Sequence, residues 1–149
     1  MYQIINNYKI VQRYKIPQIV LYKKNTEETI LFIRCSMKLY NHFFVSVLFT
    51  LNTNYSEHFS MGYQLWNIFE KQNRFFIDDE KKYCIMIHLQ GKNIKCYVHM
   101  NPILDTAIMG LPFFFLLGIN FDTKIYLDLC FVDNVCRKNG ITHNNFKHI

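Results

Sequence analysis

One aspartate in the sequence stands in a setting that could do chemistry. In Ile103-Leu104-Asp105-Thr106-Ala107, an apolar pair is followed by Asp, Thr and a small residue. Two carboxylates held at such turns can share one proton, so that one activates water while the other protonates a carbonyl. Asp105 is therefore the candidate catalytic residue. Its place, after a loop opened by Asn101-Pro102 and five residues before Gly110, reads better as the entrance to a strand. A second constellation is Cys130, Cys136, His143 and His148, spaced C-x5-C-x6-H-x4-H. Thiolate and imidazole ligands suit zinc. The spacing matches no familiar finger and Cys130 falls at an expected strand end, so neither a metal nor another cofactor is expected. His42, His58, His88 and His99 are scattered, and no Ser-His-Asp, Cys-His or glycine-rich phosphate pattern occurs.

The elements that would carry these residues are mostly strands. Half of the 149 residues are apolar, and Phe and Tyr supply nearly all of a 17% aromatic content. That is enough for a hydrophobic core and far from a disordered composition. Segments 16–22, 29–33 and 42–51 read as strands bounded by polar turns. Residues 52–60 form a polar loop, and 63–71 a short helix with Leu65, Ile68 and Phe69 on one face. Asp78-Asp79-Glu80-Lys81-Lys82 is a solvated turn. Residues 83–89 and 94–100 alternate and predict a hairpin around Gly91-Lys92. Its register puts Leu89 opposite Ile94, Ile87 opposite Cys96 and Ile85 opposite Val98. Cys84 and Cys96 then point to opposite faces, which argues against a disulfide between them. No internal repeat or linker stands out, so the chain is expected to be one domain over 1–149, loose at 1–15 and 137–149.

Charge and apolar runs exclude more than they assign. The net charge is +6, with basic residues spread from Lys9 to Lys147 rather than gathered. No nucleic-acid interface is expected from that distribution. The apolar runs 43–51 and 107–119 hold nine and thirteen residues. Both fall short of the roughly 20 a spanning helix needs, so buried strands are expected and no membrane span. Five cysteines allow one disulfide and no staple framework. The first twenty residues have polar residues throughout and no uninterrupted apolar core, unlike a signal peptide.

The run AIMGLPFFFLLGINFDTKIYLDL carries a resemblance. Ile108-Met109-Gly110, Phe113, Phe121-Asp122 and the apolar strand Ile125-Tyr126-Leu127 resemble the closing motif of pepsin-like aspartic peptidases (peptidase A1). The spacing matches without a gap through Asp122, and the match covers about 84 to 129. The resemblance implies a mainly β, acid-protease fold: a partial C-terminal lobe of mixed and antiparallel sheets with one or two short helices. It implies that the apolar-apolar-Gly strand packs beneath an active-site loop, with Gly where another backbone comes close. Phe113 and Phe121 would fill the lobe core, and Asp122 would sit at a strand-to-turn junction. Relatives hydrolyse peptide bonds with water, need no cofactor, and are secreted or vacuolar.

The chain departs from the family at its chemistry. No Asp-Thr-Gly is present, and the place expected for it near 19–24 reads IVLYKK. The turn after Asp122 is short, Gly118 stands where an aromatic is usual, and 130–149 runs on past the usual end of such a lobe. The resemblance therefore implies an inactive or truncated lobe. Peptide or protein would be its substrate only if an N-terminal lobe completed it. The alternative is a non-enzymatic basic β domain that binds protein or nucleic acid around Arg13-Tyr14-Lys15 and Tyr22-Lys23-Lys24.

Overall fold

The computed structural model describes residues 3–14, 17–23, 29–89, 91–103, 105–117 and 146–147. The chain is mainly β, and its strands form one curled, mixed sheet with two short helices. The strands are β1 (Gln3–Ile5), β2 (Tyr8–Val11), β3 (Gln18–Lys23), β4 (Thr29–Tyr40), β5 (Phe43–Asn52) and β6 (Phe59–Gly62). After helix α1 (Tyr63–Lys71) come β7 (Phe75–Ile77), β8 (Tyr83–Leu89), β9 (Lys92–Asn101) and β10 (Ala107–Gly110). Helix α2 (Leu111–Leu116) follows at once, and β11 (Phe146–Lys147) closes the series. In space the order is β11-β3-β4-β5-β10-β6-β9-β8-β7, with β1 on β2 and β2 on the lower part of β5.

The centre of this sheet has a two-fold character that the sequence conceals. β6 and β10 run antiparallel, with Phe59 opposite Met109, Ser60 opposite Ile108 and Met61 opposite Ala107. Each then pairs in parallel with the long hairpin of the other half, β10 with β5 and β6 with β9. Each ends in Met-Gly, and each glycine leads straight into a helix. Three residues after each glycine comes a buried anchor, Leu65 in α1 and Phe113 in α2. The amide of Gly62 donates to the Thr106 carbonyl at 2.6 Å, and that of Gly110 to the His58 carbonyl at 2.9 Å. Two β-meander-plus-helix units thus exchange their last strands. No repeat is visible in the sequence because the units share little beyond Met-Gly.

Several elements depart from expectation. The hairpin β8–β9 pairs Leu89 with Lys92, Ile87 with Ile94 and Ile85 with Cys96, two residues away from the expected register. Leu89 pairs directly with Lys92 and Gly91 takes φ 77°, so the loop has two residues rather than four. A shift of two leaves every side chain on its face, so alternation alone cannot separate the two registers. Cys84 lies opposite Tyr97, and Cys84 and Cys96 are free thiols.

The apolar run 107–119, expected to be a buried strand, is strand only from Ala107 to Gly110. Pro112 sits in the first turn of α2, where its missing N–H costs nothing and its fixed φ suits a helix. The N-terminal segment, expected to be loose, instead forms the β1–β2 hairpin. Asn6 and Asn7 both take positive φ, as a tight hairpin turn requires, and Tyr8 and Ile10 are buried in the core.

The core lies between the curled sheet and α1. Phe49, Phe59, Phe69, Ile33, Leu39, Met61, Leu65, Ile85 and Met109 are its largest fully buried side chains. α1 buries Leu65, Ile68 and Phe69 as its spacing predicts, and Trp66 with them. The Trp66 indole N–H donates to Glu70 one turn on, at 2.9 Å. Phe113 rests on Phe59 with ring centroids 4.4 Å apart, and Phe59 stacks on Phe49 at 5.3 Å. This aromatic ladder ties α2 to the sheet.

Candidate functional site: the loops over Gly110 and Gly62

At the top of β5 the chain turns through Asn52-Thr53-Asn54 and passes over the end of β10. The turn is local chemistry. Asn52 Oδ1 accepts from the Asn54 amide at 2.9 Å, and the Asn52 carbonyl from the Tyr55 amide at 3.1 Å. Asn52 is also the parallel register partner of Gly110. A Cβ placed on Gly110 would overlap the Glu57 carbonyl oxygen and lie 2.8 Å from that of Tyr55. The loop 53–58 therefore rests directly on the Gly110 backbone, and only glycine leaves room for it.

His58 fastens this loop to two strands. Its carbonyl takes the Gly110 amide, and its Nδ1 accepts from the Tyr97 amide of β9 at 3.0 Å. With Nδ1 accepting, the neutral ring carries its proton on Nε2. The ring stacks on Tyr97 at 5.9 Å and meets Phe113 edge-on at 6.4 Å. Burial holds the imidazole below the usual histidine range, with Glu57 pulling weakly the other way. Glu57 itself reaches His99 Nε2 at 3.8 Å, a largely solvated pair of little energetic weight. Burial raises the Tyr55 phenol, with Glu57 adding to the shift.

Asp105 occupies the two-fold counterpart of that loop, over Gly62 rather than Gly110. Gly110 ends β10 at one side, and Gly62 of β6 lies beside its other end, about 10 Å of strand away. Asp105 is exposed, and the Gln64 amide, with its nitrogen turned inward, donates to Asp105 Oδ1 at 2.7 Å and to the Asn6 carbonyl at 3.2 Å. Tyr8 stands nearby. Burial first, and the Asp105 charge second, push its phenol up to about 12. The setting of Asp105 is thus an amide and a protonated phenol at the mouth of the β1–β2 turn, with strand β10 beginning two residues on. Asp105 marks the strand entrance.

Of the motif residues, Ile108, Met109 and Gly110 form β10 and Phe113 fills the core beneath the His58 ring. Phe121 and Asp122 lie outside the described residues, as do Cys130, Cys136, His143 and His148. Among the described residues no group of three or more His, Cys, Asp or Glu is placed to hold a metal ion. Among them, too, no helix is long and apolar enough to cross a membrane. The segment 19–24, where an aspartate-bearing turn was expected, falls mostly within β3, which β4 and β5 separate from β10. His58 is the residue that sequence reasoning missed. It stands alone in a polar loop, 39 residues from the amide it caps. Comparison with family models, with curated proteins and with solved structures finds no match for this chain.

Proposed function

We propose that this chain is an aspartic-peptidase-like lobe that keeps the loop-over-glycine architecture and lacks the catalytic carboxylate. The observation that carries the reading is the Gly110 cradle. The resemblance requires an apolar-apolar-Gly strand beneath a loop, with a backbone in van der Waals contact with the glycine. Ile108-Met109-Gly110 beneath 53–58 meets that requirement. The tripeptide in register with Gly110 is Asn52-Thr53-Asn54, which departs from Asp-Thr-Gly at its first and third residues. An amide at position 52 cannot share a proton as a carboxylate does, so the water-activating step has no base there. On this reading the chain binds extended peptide without cleaving it.

The test is hydrolysis of an unfolded protein substrate at acid pH. Wild type should be inactive, and Asp105→Asn should leave that unchanged. Acid proteolysis that Asp105→Asn abolishes would overturn the reading. The net charge of +6, though spread along the chain, is the observation behind a second reading, the non-enzymatic basic β domain in its nucleic-acid-binding form. That reading requires affinity for single-stranded or duplex nucleic acid that falls steeply with salt.

A further inference from the structure

The curl of the sheet brings the outer edges of β4 and β8 to either side of a cleft of about 780 Å³. Consecutive residues of both strands line it, 35–38 on one side and 85–89 on the other. Side chains alternate across a strand, so an unbroken lining run means that the strand presents its edge. The pairing agrees. β3 covers β4 only as far as Arg34, and β7 covers β8 only as far as Ile85. Beyond those points neither strand has a strand neighbour on that side among the described residues. Their other sides are paired with β5 and β9.

The lining also states a preference. The floor is apolar, built on Phe49, Phe59 and Phe113. The rim carries Arg13, Lys38 and Arg74 with His42 and His88, and no Asp or Glu lines the cleft among the described residues. Arg74 Nε is buried without a hydrogen-bond partner, while its Nη2 lies 3.5 Å from the Met86 carbonyl on the open edge of β8. A buried donor in that state favours an acceptor placed beside the edge.

We propose that this cleft captures an extended acidic and apolar strand from a partner protein, which pairs with the open edges of β4 and β8 and closes the curled sheet. Apolar side chains of the incoming strand would face the Phe floor, and its carboxylates would meet Arg13, Lys38 and Arg74. Its backbone would satisfy the edge amides and carbonyls. A hydrocarbon ligand would fill the floor but leave those edge groups desolvated and unpaired, which is costly. The inference is independent of the loop over Gly110, so either can fail alone.

The test is fluorescence anisotropy of the full chain with a labelled six-residue peptide alternating Leu and Asp. The Leu/Asp peptide should bind about tenfold or more tightly than its Leu/Lys counterpart, and alternate N-methylation of its backbone should abolish binding. Lys38→Glu, at an exposed rim position, should weaken it about tenfold with Trp66 emission unchanged. Equal binding of the N-methylated or the lysine peptide would overturn the proposal. So would absence of binding, which would mean that the chain's own residues fill the cleft.

Discussion

Replacing Gly110 by alanine tests the cradle through its sign. The Gly110 backbone, at φ −78° and ψ 161°, suits any residue. On backbone grounds alone, alanine would stabilise the protein by about 0.4–1 kcal/mol, by narrowing the unfolded ensemble. Against this, the new methyl group overlaps the Glu57 carbonyl and crowds that of Tyr55, both main-chain atoms that cannot rotate away. Overpacking of this kind costs about 1–3 kcal/mol, at the upper end where backbone must move. The displacement also parts the Gly110–His58 hydrogen bond, roughly 1 kcal/mol. The net expectation is a loss of about 2–3 kcal/mol, a urea midpoint lowered by about 1 M if m is near 2 kcal/mol/M. The single Trp, Trp66, is buried in α1 and reports the transition by fluorescence. Gly91 is the control. It sits at φ 77°, and a methyl group there would meet no atom within 4 Å, so alanine costs about 1–2 kcal/mol through backbone strain alone. Asparagine, which tolerates that conformation, should recover part of the loss at 91 and none at 110. A Gly110→Ala protein that melts at or above the wild-type midpoint would refute the reasoning.

His58 should make stability depend on pH. Its folded pKa lies below the unfolded value of about 6.5, so its contribution is complete above that pH. It is lost as pH falls through the folded pKa, because the unfolded chain takes the proton first. Urea midpoints at pH 7 and pH 5 should therefore differ less in His58→Gln than in wild type. Burial pushes the Cys96 thiol up to about 12, so a thiol reagent at pH 8, mapped by mass spectrometry, should leave it unlabelled until the chain unfolds. Phe113→Ala removes the ring that joins α2 to Phe59 and should cost about 3–5 kcal/mol in the same urea assay.

Local patterns in the sequence are legible wherever one face is buried and the other wet. The spacing of Leu65, Ile68 and Phe69 places α1 over the residues it occupies, and alternation places β8 and β9 on the correct faces. Alternation is blind to an even shift, so the expected hairpin register differs from the observed one by two. The run 107–119 is apolar all round, which erases the difference between periods of 2 and 3.6. Only Pro112, two residues past Gly110, signals the start of a helix. The Asn6-Asn7 turn is legible as chemistry, but the mixed polarity of the segment around it hides the strands it joins. What no local pattern carries is partnership at a distance. The β5–β10 and β6–β9 pairings span 58 and 39 residues, and His58 gains its role only from them.

The exchange of strands between the two meanders sets an order on synthesis. As the chain leaves the ribosome, β3, β4 and β5 can pair through near neighbours, but the upper edge of β5 and both sides of β6 have no partner yet. β10, about half a hundred residues later, is the strand that fits between them. Until it arrives, the first unit presents unpaired edges of high aromatic content, the condition under which nascent chains associate with one another. Pairings of this span also slow folding, because loop closure must precede the contacts that reward it. A pause or truncation between Lys71 and Ala107 would therefore strand an aggregation-prone half. The length of chain that must emerge before the sheet can close is written in the position of one four-residue strand.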